Sequence, residues 1–460
     1  MEEVIKVSSI LIIGGSDAGI SAALRIKELQ PRASVTMLVA DAYPNYSICG
    51  LPFYLSGEVP DWHQLAHRTL EEIQSAGVTV QLNTRAVEIH PKAHTVVTLS
   101  DDWGKGTLDY DRLVIATGSE PVCPPIRGID ERGVFLLHSM GDSFAVAEFL
   151  RRHQPRRALI IGAGYIGLEM ADALTHRGLA VTLVEQQNTV LPTVDAPMGT
   201  VLGHTLATQG IDVRTGVKID QIEQTGHSLR VLGTLTFDQE VDMVLVVVGV
   251  QPVTSLFKQT GLRLGVRGAI PVNRAMATEL PDVYAAGDCV ETYHRILGTD
   301  TYLPLGTTAH KQGRTAGENV VGGTAQFAGT LGTQVVKLFE LAVARTGLRD
   351  HEAKAAGYAP KTVQCETWDH KAYYPGAQSL TFRITGDTRT GQLLGAQILG
   401  HWQASVAKRA DLFAMALYHS MTISELMAVD LSYTPPLGSP WDAVQMAAHQ
   451  WLSEAGKPTD

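Results

Sequence analysis

The sequence predicts an α/β chain in which two dinucleotide-binding units of parallel strands and helices are followed by a smaller α+β domain. Three observations predict this. Strand, glycine turn, helix and strand follow one another through SSILIIGG, ISAALRIKELQ and SVTMLVAD. The same order returns near residue 158 as RALIIGAG, YIGLEMADALTHRG and AVTLVEQ. Short apolar runs of this kind suit buried parallel strands, and the repeat carries more than either copy alone. From about residue 330 the texture changes to the alternating patterns VVKLFELAVA, SLTFRITG and LLGAQILG, with helical patterns at 404–420 and 440–453. A length of 460 residues accommodates about three such domains.

The first turn, Gly14-Gly15-Ser16-Asp17-Ala18-Gly19, fills a GxGxxG frame in which Ser16 replaces the second glycine. Glycines permit the tight turn, and the helix that follows points its N-terminal amides and dipole at a pyrophosphate. The second turn, Gly162-Ala163-Gly164-Tyr165-Ile166-Gly167, is a full match, and Glu185 ends the next strand eighteen residues past Gly167. A carboxylate there accepts hydrogen bonds from an adenosine ribose and repels a 2′-phosphate, so NADH is expected over NADPH. Between the copies, LDYDRLVIATGSEP reads as a strand entering the small-residue turn Ala116-Thr117-Gly118. After the second copy come VDMVLVVVGVQP, with Gly249, and PDVYAAGDCV, with Gly287 and Asp288.

Charge and cysteine usage narrow the class. A net charge of −10 without a Lys/Arg cluster argues against nucleic acid. Cys49, Cys123, Cys289 and Cys365 show no CxxC spacing, which fits a reducing cytosol better than a disulfide framework or a zinc site. MEEVIKV is acidic first and lacks a small-residue cleavage site, and the apolar run Ile10 to Ile13 is too short to span a membrane. A cytoplasmic location without membrane attachment is expected. No metal is expected either, because none of the sixteen histidines has zinc-type spacing with a third ligand.

One cysteine stands apart. Cys49 lies in PNYSICGLPFYLSG, where Gly50 and Pro52 suit the first turn of a short helix. The amides of that helix are expected to lower the thiol pKa and favour the thiolate. No second cysteine is close in sequence, so an internal disulfide cannot form locally. The second sulfur then comes from a substrate, or the thiol cycles through a sulfenate or persulfide. The alternative reading is a small buried core residue.

Together these features resemble the pyridine nucleotide–disulfide oxidoreductase superfamily, and within it the single-cysteine branch of coenzyme A-disulfide reductases, persulfide reductases and NADH oxidases. The resemblance is carried by CGLPFYLSG, the ATG turn, GAGYIGLE, YAAGD, LPLGTTAHKQGRTAGEN, VKLFELAVARTGL, HKAYYPGA and DLSYTPPLGSPWD. It implies FAD on Gly14 to Gly19 and Asp288, and a nicotinamide dinucleotide on the second turn. It divides the chain into an FAD-binding domain at 1–120 and 250–328, an NAD(P)-binding domain at 121–249 and a dimerisation domain at 329–453. Cys49 becomes the redox nucleophile, His310 the residue that positions a leaving thiol, and Tyr373, Tyr374 and Tyr433 residues sent from the tail into a partner's site. Arg25, Asn45 and Arg68 are the expected substrate contacts of the first domain. An apolar face of the helix Ala404 to Met421, with Val406, Leu412, Phe413, Ala416 and Leu417, is expected to bury against another surface.

The departures matter as much. Val39 stands where the family places a glutamate on the FAD ribose, with Asp41 two residues on as a substitute. Asp17 replaces the acid/base histidine of the oxidase and peroxidase members. Glu28, Gly77 and Trp441 occupy positions of basic residues that hold coenzyme A phosphates, so coenzyme A disulfide is weakly supported as a substrate. The expected function is an FAD-dependent, NAD(P)H-linked reduction of a small disulfide, persulfide or polysulfide by a homodimer. An NADH oxidase is the alternative among enzymes, and a flavin-dependent redox sensor or docking protein the alternative outside them.

Overall fold

The computed structural model describes residues 9–257 and 259–455, so MEEVIKV, on which the leader argument turned, lies outside the described residues. The first unit is a five-stranded parallel sheet. Its strands are β1 (Ser9–Ile13), β2 (Ser34–Leu38), β3 (Val78–Gln81), β4 (Arg112–Ile115) and, far along the chain, β10 (Val283–Ala285). Their order is β10-β4-β1-β2-β3. Helix α1 (Asp17–Leu29) connects β1 to β2, and α4 (Gly306–Asn319) packs beside it. These runs form strands because Ile10, Ile12, Leu113, Val114 and Ile115 are fully buried on a sheet covered on both faces.

The second unit repeats the plan. Its strands β5 (Val134–Leu136), β6 (Arg157–Ile161), β7 (Ala180–Glu185), β8 (Asp212–Thr215) and β9 (Met243–Val246) lie in the order β8-β7-β6-β9-β5, all parallel. Helix α3 (Tyr165–His176) leads from β6 to β7. The two glycine turns are anchored alike: the Gly14 amide donates to Leu38 at 2.9 Å and the Gly162 amide to Val184 at 2.8 Å. Val39 and Glu185 are therefore structural equivalents.

The tail is an antiparallel sheet of five strands, β11 (Gln334–Leu338), β12 (Leu341–Gly347), β13 (Pro360–Trp368), β14 (Ser379–Asp387) and β15 (Leu393–His401), in the order β11-β12-β15-β14-β13. Helices α5 (Val406–Tyr418) and α6 (Ala443–Ala455) cover it, with Phe382, Phe413 and Trp451 at the centre of the core. The Trp451 indole N–H finds Lys361 carbonyl at 2.8 Å, which removes the cost of burying it. Arg345, Arg349 and Arg383 bind Thr193, Pro192 and Asp195 and so fasten the tail to the second unit.

The apolar face expected to meet another surface is corrected here. Val406, Phe413, Ala416 and Leu417 are buried in the core of their own domain. The outward stripe of α5 is instead Leu412, Met415 and Tyr418, at i, i+3 and i+6. Among the described residues no helix is long and apolar enough to cross a membrane.

Candidate active site

The first glycine turn is built by close approach. A Cβ on Gly14 would sit 2.0 Å from the Ala116 carbonyl oxygen, and one on Gly19 would sit 1.9 Å from the Gly14 carbonyl. Gly14 also has φ +113, which favours glycine. The ATG turn thus lies directly beneath the glycine frame: Thr117 donates its hydroxyl to Val253 at 2.7 Å, and Gly118 turns at φ +68. Ser16 caps α1 only by its position, with no side-chain hydrogen bond, which leaves the helix amides open to a phosphate. Ala18 packs against Gly287, whose amide is held by Gln312 at 2.9 Å. Asp288 follows, accepting from the Ser119 hydroxyl at 3.2 Å. Burial, opposed by Ser119 and reinforced by Asp17, pushes the Asp288 carboxyl up to about 6.

Asn45 adds an orphaned polar atom to this cradle. It is 3% exposed with φ 60, its amide donates to the Gly15 carbonyl, and its Oδ1 has no partner. A buried unsatisfied oxygen beside the turn is what a bound dinucleotide would satisfy. The residues present fit FAD, and Asn45, an expected substrate contact, lies beside the first glycine turn. Val39 packs its side chain where a Gly15 Cβ would go, so it offers an FAD ribose no carboxylate. Asp41, two residues on, is exposed and accepts the Tyr43 amide at 2.8 Å.

The second turn fits a second dinucleotide. A Gly167 Cβ would lie 1.9 Å from the Gly162 carbonyl, whereas Gly164 and Gly249 face open space. Glu185 is nearly buried, with one oxygen on the Ala163 amide and the other on the Gln187 amide, both at 2.8 Å. Each oxygen keeps a further lone pair for a ribose hydroxyl. Ile166 packs partly buried against the core of this unit. Tyr165 is taken up elsewhere: its hydroxyl bonds to Gln334 of the tail and accepts from Thr193 at 3.1 Å. Its hydroxyl ties the second unit to the tail.

Cys49 lies in the short turn Ile48–Gly50 that precedes α2 (Leu51–Ser56), with Pro52 at the helix start. It is exposed at the cleft, yet protein surrounds that cleft closely. The expectation of a lowered thiol pKa is corrected: burial pushes the Cys49 thiol up, and Glu169, Asp17 and Asp288 push it further. Burial is the larger cause and the three carboxylates add to it, and together they outweigh the backbone amide that favours the thiolate. Cys123, Cys289 and Cys365 are free as well, and Cys289 is fully buried beneath the ATG turn.

Glu169 belongs to this site and went unassigned in the sequence, although it closes the GYIGLE motif. It projects from α3, which packs on α2. The readable signal is a carboxylate set between the buried Leu168 and Met170. Burial, with Asp172 adding, pushes its carboxyl up to about 7. Its folded pKa therefore exceeds the unfolded value of 4.5, so the native state binds the extra proton between those limits. The destabilisation is absent below about pH 4.5 and complete above pH 7, with about 3 kcal/mol as its upper bound. Glu169→Gln should accordingly raise the melting temperature at pH 8 and leave it unchanged at pH 5. Equal shifts at both values would contradict this.

Arg25, an expected substrate contact, is paired within the protein. Glu318 and Glu28 hold its guanidinium, and Arg314 joins Glu28 at 3.2 Å, so the charge is spent within α1 and α4. Arg68 remains exposed. Tyr373, Tyr374 and Tyr433 are 73%, 41% and 45% exposed, on loops joined by the Lys371 amide to the Pro435 carbonyl. Arg409, 6% exposed, clamps the same loops through Asp442 and the Asp369 carbonyl. His310 contacts Asp17 and Ser21 above the first turn.

Comparison with known proteins decides the family. Residues 8–313 match the pattern of the pyridine nucleotide-disulphide oxidoreductases, and residues 333–443 match the dimerisation domain of the same family. The chain belongs to that family. Its members are NAD(P)H-dependent flavin oxidoreductases, and this chain is one of them. It is 33% identical to the NAD(P)H sulfur oxidoreductase (CoA-dependent) of Pyrococcus abyssi, over 97% of this chain and 98% of that protein. It is 30% identical to an NADH oxidase of Methanocaldococcus jannaschii, over 96% of this chain and 98% of that protein. The solved structure of an NAD-dependent persulfide reductase from A. fulgidus superposes with a TM-score of 0.93 at 34% identity, covering 97% of this chain and 83% of that one.

Proposed function

We propose that the chain reduces a low-molecular-weight disulfide, persulfide or polysulfide with NADH, through Cys49. The observation that carries this reading is an exposed, unpaired thiol, Cys49, on whose sulfur Asp17 of the first glycine turn, Asp288 and Glu169 all act. Bound FAD and nicotinamide supply a two-electron relay that ends on sulfur. Cys49 attacks one sulfur of the substrate, a new S–S bond forms and a thiolate departs. Two electrons then cleave the Cys49–substrate bond, and Cys49 returns as thiolate. Glu169, Asp17 and Asp288 make that thiolate costly. A thiol with a raised pKa is also the stronger nucleophile once ionised.

Coenzyme A is disfavoured as the carrier. Glu28 is locked to Arg25 and Arg314, and a Gly77 side chain would collide with Lys27, so neither position offers a free cation to a phosphate. The deciding experiment measures NADH oxidation by the FAD-loaded protein against coenzyme A disulfide, glutathione disulfide, glutathione persulfide, polysulfide and oxygen alone. Turnover with a sulfur acceptor supports the reading. Turnover with oxygen alone, unchanged by every sulfur compound, makes the chain an NADH oxidase instead.

Nucleotide choice follows from Glu185. Its carboxylate stands at the end of β7, where a 2′-phosphate would meet a like charge, and the residues after it are Gln186 and Gln187 rather than arginines. The preference for NADH over NADPH should be about a hundred-fold or more in kcat/KM and fall at least ten-fold in Glu185→Ala. A wild-type enzyme faster with NADPH would contradict the assignment.

A further inference from the structure

The thiol turn belongs by sequence to the first unit, yet its helix is mounted on the second. Cys49 lies in Ile48–Gly50, and this turn runs without a break into α2, Leu51 already holding the helical angles φ −59 and ψ −42. At 1.5 Å per residue the rod from Cys49 to Leu55 is about 9 Å long, and a helix this short has little stability of its own. What grips its two ends therefore sets its position. At the start, the Gly50 amide donates to the Ser47 carbonyl at 3.1 Å, and Leu65 fills the space a Gly50 side chain would need. Leu51 packs with Leu65 and Met140.

The grip on the far end comes from the second unit. Leu55 is fully buried in the core of that unit, together with Leu168 and Leu174 of α3, and Tyr54 packs against the same core. The closing carbonyls of α2 are then filled one by one. Phe53 accepts the Val59 amide at 2.9 Å and Tyr54 the Gly57 amide at 3.1 Å. The chain turns away at Gly57, with φ +92, and the Leu55 carbonyl is left to a side chain. Arg177 Nε donates to it at 2.6 Å. Arg177 directly follows α3, the helix that starts at the second glycine turn, and α3 is itself fastened to the tail where Asp172 accepts the Phe339 amide at 2.8 Å. A cation at the C-terminal end of a helix is also favoured by the helix dipole.

We infer that Arg177 is a positioning residue for Cys49: it pins the end of α2 to the second unit and so holds the sulfur in one place. The inference rests on the sulfur-reducing function proposed above. In that reaction Cys49 serves two partners in turn, since it bonds to a substrate sulfur and is then released by two electrons originating on NADH. Both steps need the same sulfur position, and a displacement of about 1 Å is costly to a reaction. Burial of Leu55 alone does not fix that position, because apolar contacts are non-directional and allow the rod to rotate about its own axis. A hydrogen bond from a charged donor is directional and stops the rotation.

Two substitutions on the FAD-loaded enzyme test this. Arg177→Met keeps the apolar stem and removes the donor, and Arg177→Lys keeps a charged donor. Arg177→Met should lower kcat with a sulfur acceptor about ten-fold, with the acceptor KM and the rate of flavin reduction by NADH each within about two-fold of wild type. Arg177→Lys should recover most of the loss. Alkylation of Cys49 by iodoacetamide gives a readout that needs no turnover. A freed turn opens more often, so the rate should rise about three-fold or more in Arg177→Met and return towards wild type in Arg177→Lys. A guanidinium acting only as a charge has the opposite effect, because its loss disfavours the thiolate and slows alkylation. An alkylation rate unmoved or lowered in Arg177→Met overturns the inference, and so does a loss shared equally by flavin reduction. Should the wild type reduce no sulfur acceptor, the proposed function fails on its own terms. Alkylation then decides the positioning role alone: faster in Arg177→Met and restored in Arg177→Lys supports it, and any other result overturns it.

Discussion

Cys49→Ser should abolish sulfur-acceptor reduction, by at least about a thousand-fold in kcat, while NADH still bleaches the flavin absorbance at the wild-type rate. The two nucleotide cradles are assembled from Gly14, Gly19, Ala116, Gly162 and Gly167, and none of them depends on the thiol. Hydride delivery therefore survives, but a serine hydroxyl at this position has no means of accepting the substrate's sulfur as a disulfide. The loss belongs to kcat rather than KM, because what disappears is a bond made during reaction. Stopped-flow flavin reduction and steady-state turnover, measured on one preparation, separate the two half-reactions. Undiminished turnover in the serine variant would remove Cys49 from the mechanism and leave direct reduction at the flavin as the remaining route.

The second large effect is expected from the tail. Residues 333–443 match a dimerisation domain, and the described surface of the tail is rich in exposed apolar side chains: Trp368, Tyr373, Tyr374, Trp402, Tyr433, Leu437 and Trp441. A contiguous apolar surface of this kind marks an association site. The tyrosine loops are held through Arg409 to Asp442 and through Lys371 to Pro435, and Tyr373, Tyr374 and Tyr433 stay exposed. Rings fixed at the backbone and free at the hydroxyl suit a role in another copy's cleft. Tyr433→Phe should then lower kcat by about ten- to a hundred-fold with the melting temperature unchanged.

Chain mixing sharpens the test. A Cys49→Ser chain and a Tyr374→Ala, Tyr433→Ala chain are each impaired, but a heterodimer of the two contains one intact site if sites are shared. Random exchange of equal amounts should restore about a quarter of wild-type activity. No recovery above the mean of the two parents, with heterodimers verified, would confine each site to one chain. Light scattering of a fully active monomer would contradict the shared site altogether.

The outward stripe of α5 illustrates why such a surface is hard to read in advance. Val406, Phe413, Ala416 and Leu417 have the helical spacing of a buried face, and they are buried, but within their own domain. Periodicity reports that a face is covered and carries no information about which chain covers it. Leu412, Met415 and Tyr418 stand out as the exposed stripe of this helix only after the sheet has claimed the other side.

By itself the sequence determined the architecture and the location of the cofactor cradles. Both follow from local rules: a strand leading into Gly14 or Gly162 must turn at positive φ, and the next helix must begin there with open amides. The lone cysteine of the CGLPFYLSG box and the carboxylate of Glu185 at the end of its strand were legible for the same reason, since each rests on a position within a motif. Only the tertiary structure decided the electrostatics. Burial of Cys49 in the fold raised its pKa, and Glu169, Asp17 and Asp288, more than a hundred residues apart in sequence, added to that shift. The pairing of Arg25 with Glu318, on another helix, likewise came only with folding. His310 and Asp17 became a pair only when α4 packed on α1. Charges act through space in a medium of low dielectric, so their balance is set by neighbours that the order of residues along the chain does not reveal.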